Sequence, residues 1–349
     1  TGTNTLTFRY TVIAGNEDIN GLDTVAAINL AGATMQDPNG NDVYLNLSAT
    51  NFAAALVDAI IPTVTIDAAA TINSLNVATY NITGTCSDNG QVVSVDVGGV
   101  TATPMCAANV WSYTQDVTAA IDSTVNTVAD VAITADHDDA GGNPAVQATD
   151  TVIKDTVIPT VSANAIAANT YIIGDTVNVV VDFNENVTVG TSERIQLTFD
   201  TMAAAPVYAN YVSGDGTTQV TYAYTIVEGD EDLNSIDSAA SIDVNGGSIV
   251  DANANPSDYN LVTTNYASTL VDGIKALITN VTIAPNTYII GDNVDVVITY
   301  DDNVTVAGGT PDFALTFETN TGSPTAALTT GTGTNTLTFR YTVIAGNED

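Results

Sequence analysis

Residues 1–18 read TGTNTLTFRYTVIAGNED, and residues 332–349 read TGTNTLTFRYTVIAGNED again. Within that stretch Leu6, Phe8, Tyr10 and Val12 alternate with Thr7, Arg9 and Thr11. A period of two gives an extended chain one apolar face, the mark of a half-buried strand. The strand runs into Gly15-Asn16-Glu17-Asp18, a turn rich in carboxylate and amide oxygens. Eighteen identities in a row, 331 residues apart, predict a sequence that repeats at that interval, as a tandem array or a continuous assembly.

Shorter periods lie inside the long one. NTYIIGD at 169–175 recurs at 286–292, an offset of 117. FRYTVIAGNEDINGLD at 8–23 aligns with YAYTIVEGDEDLNSID at 222–237, and VDAI at 57–60 with VDGI at 271–274, both at an offset of 214. A different module sits between DAIIPTV at 58–64 and DTVIPTV at 155–161, which are 97 residues apart. One module of 97 residues and two of 117 make up the 331-residue repeat. The expected organisation is therefore the C-terminal part of a long module (1–62), a short module (63–159), a complete long module (160–277) and the N-terminal part of another (278–349).

The same alternation recurs at Val220, Tyr222, Tyr224 and Ile226, and at Val93, Val95 and Val97. β-Branched and aromatic residues fill these runs and Gly, Asn and Asp separate them. No segment offers a long 3.6-residue period with helix caps. Modules of this size built from short strands predict an all-β chain of antiparallel β-sandwiches in a linear array.

Composition narrows the function. The chain has 5 Lys and Arg against 40 Asp and Glu, a formal net charge of −35, yet only 13% of its residues are charged and 45% are hydrophobic. That is a folded acidic protein rather than a disordered tail. Such a surface repels phosphate backbones and anionic lipid, so no nucleic-acid partner is expected. No apolar run approaches 18 residues, so no membrane insertion is expected of this segment. One histidine, two cysteines and the absence of GxSxG, HExxH, Walker or dinucleotide fingerprints leave no catalytic site to name, and the chain reads as a non-enzyme.

Cys86 and Cys106 lie twenty residues apart in the short module. Without histidine partners they cannot complete a zinc site, and they read as a structural disulfide between neighbouring strands rather than a redox pair. A disulfide implies an oxidising compartment, hence export. Trp111 and Tyr113 follow at period two and read as core, whereas His137 in ADHDDAGGNP reads as a solvated loop histidine.

The acidic turns are the candidate cation sites. Asp18, Asn20 and Asp23 share one turn, and Asp232, Asn234 and Asp237 share its counterpart. Oxygen ligands converging in a Gly/Asn/Asp loop suit Ca²⁺, which takes six to eight hard donors. The spacing is not an EF-hand, and an Asx-rich turn with solvated charge explains the same residues. Asp136, Asp138 and Asp139, with Asp37/Asn41 and Asp251/Asn255, form similar loops. Asp58, Asp155 and Asp272 occupy matching places just before the next module, where a carboxylate could share a cation with loops on both sides. Pro62 and Pro159 stiffen two of these linkers; the third, VDGIKALIT at 271–279, carries Lys275 and no proline, so that joint is either more pliant or its cation weaker.

The order Tyr-Ile-Ile-Gly-Asp, VDFNENVTVG at 181–190 and NYVSGDGTTQVTYAYTIVEGDED at 210–232 resembles the tandem Ig-like repeats of large bacterial surface proteins and adhesins. The short module, with TYNITGTCSDNGQVVSVDVGG, CAANVWSYTQDVT and a closing DTVIPTV, is similar to other Ig-like repeats of the same proteins. SER at 192–194 replaces the GTP of 309–311. The resemblance covers essentially the whole chain. It implies an extracellular or cell-surface rod of β-sandwiches, commonly rigidified by Ca²⁺ at the joints. The expected role is a structural repeat of an extracellular filament or giant adhesin whose partners are neighbouring modules or copies of itself in a fibre. Any cell-surface glycan is expected to be met by domains outside this chain. A Ca²⁺-dependent glycan- or surface-binding array uses the same loops and is the alternative; a halophile surface layer ranks below it. One long polypeptide explains the eighteen-residue overlap more naturally than subunits that complete each other's split sandwich. Asn46, Asn81, Asn186, Asn280 and Asn303 sit in Asn-x-Ser/Thr triplets and permit glycosylation where the host performs it.

Overall fold

Val93, Val95 and Val97 of the strand Val93–Val97 are fully buried while Ser94 between them is exposed, so the alternation read from the sequence is the alternation of a strand over a core. The computed structural model describes residues 4–120, 129–319 and 322–347. Among these there is no α-helix, only the single 3-10 turn Val77–Thr79 and β-sheets joined by Gly/Asn turns, antiparallel except where Thr170–Ile172 runs parallel to Leu270–Asp272.

In the short module, Ala148–Lys154, Ala129–His137, Val93–Val97 and Val100–Ala102 form one four-stranded antiparallel sheet in that order. Facing it, Tyr80–Thr85 pairs with Val110–Gln115. The Thr65 and Asp67 amides extend this second sheet by donating to the carbonyls of Thr85 and Thr83 at 3.0 and 2.9 Å. Trp111 and Tyr113 fill the space between the sheets, each 1% exposed. The Trp111 indole Nε1 donates to the Thr65 carbonyl at 3.0 Å, so the buried ring keeps its polar atom satisfied. Its cross-strand neighbour must be Gly84: a Cβ there would lie 2.6 Å from the indole and 2.0 Å from the Thr65 oxygen.

Cys86 and Cys106 form a disulfide with Cα atoms 5.9 Å apart, at the edge of this core. Lys154 is wholly buried, and its ammonium donates to the carbonyls of Val117, Thr118 and Ala120 at 3.1, 2.9 and 2.9 Å. His137 departs from expectation. It ends the strand Ala129–His137 and is 2% exposed, with Nδ1 bonded to the Val92 carbonyl and Nε2 accepting the Asp88 amide. The ring staples the 86–92 loop to the sheet, which no local sequence pattern announces.

In the complete long module one sheet runs Val161–Ile166, Thr176–Val189, Thr217–Thr225, Val207–Ser213, Arg194–Thr198, Ser235–Ser238 and Asn265–Ala267. A smaller sheet holds Thr170–Ile172, Leu270–Asp272 and Glu231–Asp232. The long strand Thr176–Val189 shifts register between Asp182 and Val187. Its first part pairs with Thr217–Thr225 and its last residues pair with Ile249–Val250. A bulge of this kind bends a strand and re-aims the side chains within it. The two layers close over one core that includes Val179, Ile195, Tyr222, Ile236 and Val271, all fully buried. Two packed β layers over one core, antiparallel but for the parallel pairing of Thr170–Ile172 with Leu270–Asp272, make these modules Ig-like sandwiches in a tandem array.

The flanking parts of long modules differ from the complete one. Residues 278–347 form one five-stranded sheet, Ile278–Ile283, Asn293–Val304, Thr334–Thr342, Thr325–Thr330 and Asp312–Ala314, with its own cluster around Val296, Leu337 and Phe339. Residues 4–62 form two-residue pairings, Glu17–Asp18 with Val57–Asp58 and Leu22–Asp23 with Asn51–Phe52, and the single bridges Ala27 with Asn46 and Gln36 with Asp42. The strand expected over Leu6–Val12 is absent there, and Phe8 and Tyr10 are 73% and 71% exposed. The identical residues Leu337, Phe339 and Tyr341 are buried in Thr334–Thr342, which finds partner strands on both sides. Each such burial stabilises by about 1.5–3 kcal/mol, and only the second location offers the surface.

Candidate cation sites at the module joints

Three loops of the form Asp-x-x-x-Asn repeat one geometry. In each, the Asp side chain accepts both the main-chain amide and the side-chain amide of the Asn four residues on. The distances are 2.8 and 2.9 Å for Asp37 with Asn41, 2.8 and 2.8 Å for Asp139 with Asn143, and 2.9 and 2.7 Å for Asp251 with Asn255. The Asn143 and Asn41 side-chain hydrogen bonds hold the Asp139 and Asp37 carboxyls below the ordinary carboxylate range. A loop pinned in this way presents its remaining oxygens in a fixed direction.

Two of these loops meet the linker aspartates singled out from the sequence. Asn143 donates to the Asp58 carbonyl at 3.1 Å, and the Asp58 carboxylate lies over Gly141, where a Cβ would be 2.6 Å from Oδ2. Asn255 donates to the Asp155 carbonyl at 2.9 Å, and Asn253 donates to Asp155 Oδ2 at 2.8 Å. The same loop reaches back into the short module. Ser74 N donates to Asn255 Oδ1 at 2.6 Å, and the Asn73 side chain donates to the Asn253 carbonyl at 3.0 Å. Asp155, Asp251 and Asn255 are 6%, 4% and 0% exposed, so this joint is a packed interface and not a solvated hinge.

A third carboxylate completes the joint. Glu185 sits in the bulged part of Thr176–Val189, and its Oε1 is buried with no hydrogen-bond partner. Burial, then the charges of Asp251 and Asp155, push its carboxyl above the usual glutamate range. The unpartnered Glu185 oxygen thus lies within the electrostatic reach of the Asp251 and Asp155 carboxylates. Among the described residues no three acidic, histidine or cysteine side chains stand close enough to make a ready-formed metal centre.

The remaining candidates lie elsewhere. Asp232 is 2% exposed, and its Oδ1 accepts the amides of Asn234 and Ser235 at 3.1 and 2.8 Å, an Asx turn. Burial raises its carboxyl despite those two bonds, with the Asp200 and Asp237 charges adding to the rise. Asn234 donates to both oxygens of Asp200 at 3.0 Å, and Asp237 accepts from Asn265 at 2.7 Å. In the counterpart turn Asp18 accepts the Asn20 amide at 3.3 Å, and Asp23 accepts from Asn51 at 2.7 Å. Asp136 is bound by the Gln147 amide at 3.0 and 2.9 Å, and with Asp138 it lines an open depression of about 390 Å³. Asp272 is exposed in the strand Leu270–Asp272, opposite Ile172 and Glu231. The Asn81 amide is engaged by Ser112, Tyr113 and Thr114 across the strand pair.

Sequence reading missed Asn143, Asn253, Glu185 and Asp200. The Asp-x-x-x-Asn spacing at 37–41, 139–143 and 251–255 was available to find the first. Glu185 carried no signal, because only the bulge and the next loop bring it to Asp155.

No family model matches the chain, and no curated protein matches its sequence. Among solved structures it is similar to the fibronectin(III)-like modules of Clostridium thermocellum CbhA, at 12% identity over 61% of this chain and 94% of that one, with a TM-score of 0.26. It is also similar to the I9–I11 tandem of titin, at 9% identity over 80% of this chain and 89% of that one, with a TM-score of 0.29. The third is CBD12 from CALX1.2, at 10% identity over 62% of this chain and 100% of that one, with a TM-score of 0.22.

Proposed function

We propose that this chain is a non-catalytic structural repeat of an extracellular filament or giant cell-surface adhesin, a rod of Ig-like modules stiffened by Ca²⁺ at the joints. The observation that carries this reading is the joint around Asp155, where Glu185 keeps a buried, unpartnered oxygen beside Asp251 and Asp155. Left without a counter-charge, three carboxylates repel and loosen the contact; a divalent ion bound there favours the folded, straight arrangement by mass action. The oxygens of Asp155, Glu185 and Asp251 and the carbonyls of the joint would hold the ion, and the Asp58 joint would hold a second. The disulfide supports an oxidising, exported location. Neighbouring modules and further copies of the repeat are its partners, with recognition of a surface left to other domains.

Thermal unfolding and small-angle scattering with Ca²⁺ and with EGTA test this. A higher melting temperature and a longer maximum dimension in Ca²⁺ are expected. Identical curves and identical dimensions in the two buffers refute the stiffening.

A further inference from the structure

Glu193 stands just before the strand Arg194–Thr198 of the complete long module, and it is wholly buried. Both of its carboxylate oxygens lack a hydrogen-bond partner. The adjacent Arg194 does not neutralise it: that guanidinium bonds Asp243 at 2.8 Å and stacks over the Tyr208 ring. A second polar group of the same module is also unsatisfied. Tyr222 is wholly buried in the strand Thr217–Thr225, and its hydroxyl has no partner. Burial first, and then the Glu193 charge, push this phenol up, so the two groups lie within electrostatic reach of each other. An ionised carboxylate without a donor is among the costliest groups an interior can hold, and a fold keeps one where something neutralises it.

The surroundings of the carboxylate are built to hold it. The loop 190–193 is clasped to the turn 244–248: the Gly190 amide donates to the Ser248 carbonyl at 3.0 Å, and the Asn245 side chain donates to the Ser192 carbonyl at 3.1 Å. A Cβ on Gly190 or Gly247 would stand 2.4 or 2.1 Å from Glu193 Oε1. Neither glycine has a positive φ, so what they supply is space and not backbone freedom. The Cβ position of Gly247 also lies 2.6 Å from Ser192 Oγ, which puts a further oxygen beside the carboxylate. The other long-module sequence lacks these parts. By repeat register Glu193 becomes Pro311, Gly190 becomes Ala307, Gly247 becomes Ala33 and Tyr222 becomes Phe339. The carboxylate, the room for it and the facing hydroxyl are lost together, the pattern of one site and not of four separate substitutions.

We propose that Glu193, Tyr222 and Ser192 form a site for a monovalent cation, sodium or potassium, inside the complete long module. One carboxylate sets the charge of the ion: a single positive charge neutralises it, whereas a divalent ion would leave a net charge buried. Among the described residues no three acidic, histidine or cysteine side chains gather there to take a divalent ion. Ser192 Oγ makes only a long 3.4 Å bond to the Val244 carbonyl, and a hydroxyl oxygen keeps lone pairs for an ion while it donates. The Tyr222 hydroxyl supplies a neutral oxygen in the same way. The bound ion ties the clasped loops to the strand Thr217–Thr225. The site shares no residue with the joint around Asp155 and does not rest on the Ca²⁺ reading.

The test is amide hydrogen exchange of the 349-residue chain in EGTA at one pH and one ionic strength, with sodium, potassium or choline chloride as the salt. The Gly190 and Gly247 amides are bonded to the Ser248 and Val244 carbonyls and report the clasp. At an ion concentration ten times its dissociation constant they should exchange about tenfold more slowly than in choline, with the strands of the short module unchanged. Glu193→Gln should abolish the difference between the salts. Tyr222→Phe, which installs the side chain of the counterpart Phe339 and removes an unbonded hydroxyl, should fold and reduce it. Equal exchange in all three salts overturns the inference, as does a sodium or potassium effect that survives Glu193→Gln or slows the short module equally. Ca²⁺-dependent melting without this selectivity removes only the cation site; selectivity in a chain whose melting ignores Ca²⁺ removes only the stiffening.

Discussion

Replacing Asn255 by alanine isolates the energy of the joint between the short and the complete long module. The side chain is wholly buried and makes three bonds: to the Asp155 carbonyl at 2.9 Å, to Asp251 Oδ2 at 2.7 Å, and from the Ser74 amide at 2.6 Å. At about 1 kcal/mol net for each, the loss is about 3 kcal/mol, shared between the loop and the interface. Asn41→Ala is the internal control. It removes the same bond within its loop, to Asp37 Oδ2 at 2.9 Å, from an exposed side chain, so it should cost less than about 1 kcal/mol. A unit that melts across both modules moves about 2–4 °C per kcal/mol, so Asn255→Ala should lower its transition by about 6–12 °C. The same change should broaden or split the calorimetric peak, because two modules without a shared contact unfold separately. The measurement is scanning calorimetry in EGTA, which keeps metal out of the comparison. If Asn255→Ala and Asn41→Ala shift the transition equally, the joint carries no coupling and the reasoning is wrong.

Lys154→Met should destabilise the short module by about 3 kcal/mol, because three carbonyls, two of them buried, lose a charged donor; a urea midpoint equal to that of the parent chain would refute this. Cys86→Ser with Cys106→Ser opens a 20-residue loop and should cost about 3 kcal/mol, lowering the short-module transition while the long module melts unchanged. Glu185 gives a pH signature in EGTA. Its folded pKa is raised, so it contributes stability that is fully present below the ordinary value of 4.5 and is lost as pH rises through the raised value. The difference between the parent chain and Glu185→Gln should therefore narrow as pH falls through that window and reverse in saturating Ca²⁺, which the variant, short of one carboxylate, binds less well; parallel pH profiles in EGTA would count against the assignment.

Much of this fold was legible in the sequence because strands are local patterns. Val93, Val95 and Val97 declared their period, Trp111 and Tyr113 declared a core, and the two cysteines paired as their number and context implied. The linker aspartates were legible as well, since the repeat map put Asp58 and Asp155 at equivalent places. Other features were illegible because their meaning is not local. His137 looked like a loop residue until the 86–92 loop closed on it, and Glu185 became part of a joint only through a bulge in its strand and a loop 66 residues later.

The eighteen residues present at both ends separate the two contributions. Their sequence alone determined a two-residue apolar period followed by an acidic turn, and both copies keep that turn: Tyr10 and Tyr341 each donate to the Asn six residues on, and Ile13 and Ile344 donate their amides to the same side chain. Whether the preceding run became a strand was decided by tertiary structure. Thr334–Thr342 is flanked by strands that accept its backbone bonds and lies against a core that takes Leu337 and Phe339, while Leu6 and Phe8 have neither. A turn is held by bonds within its own few residues; a strand exists only where another part of the fold supplies the other half of its hydrogen bonds and the surface for its apolar face.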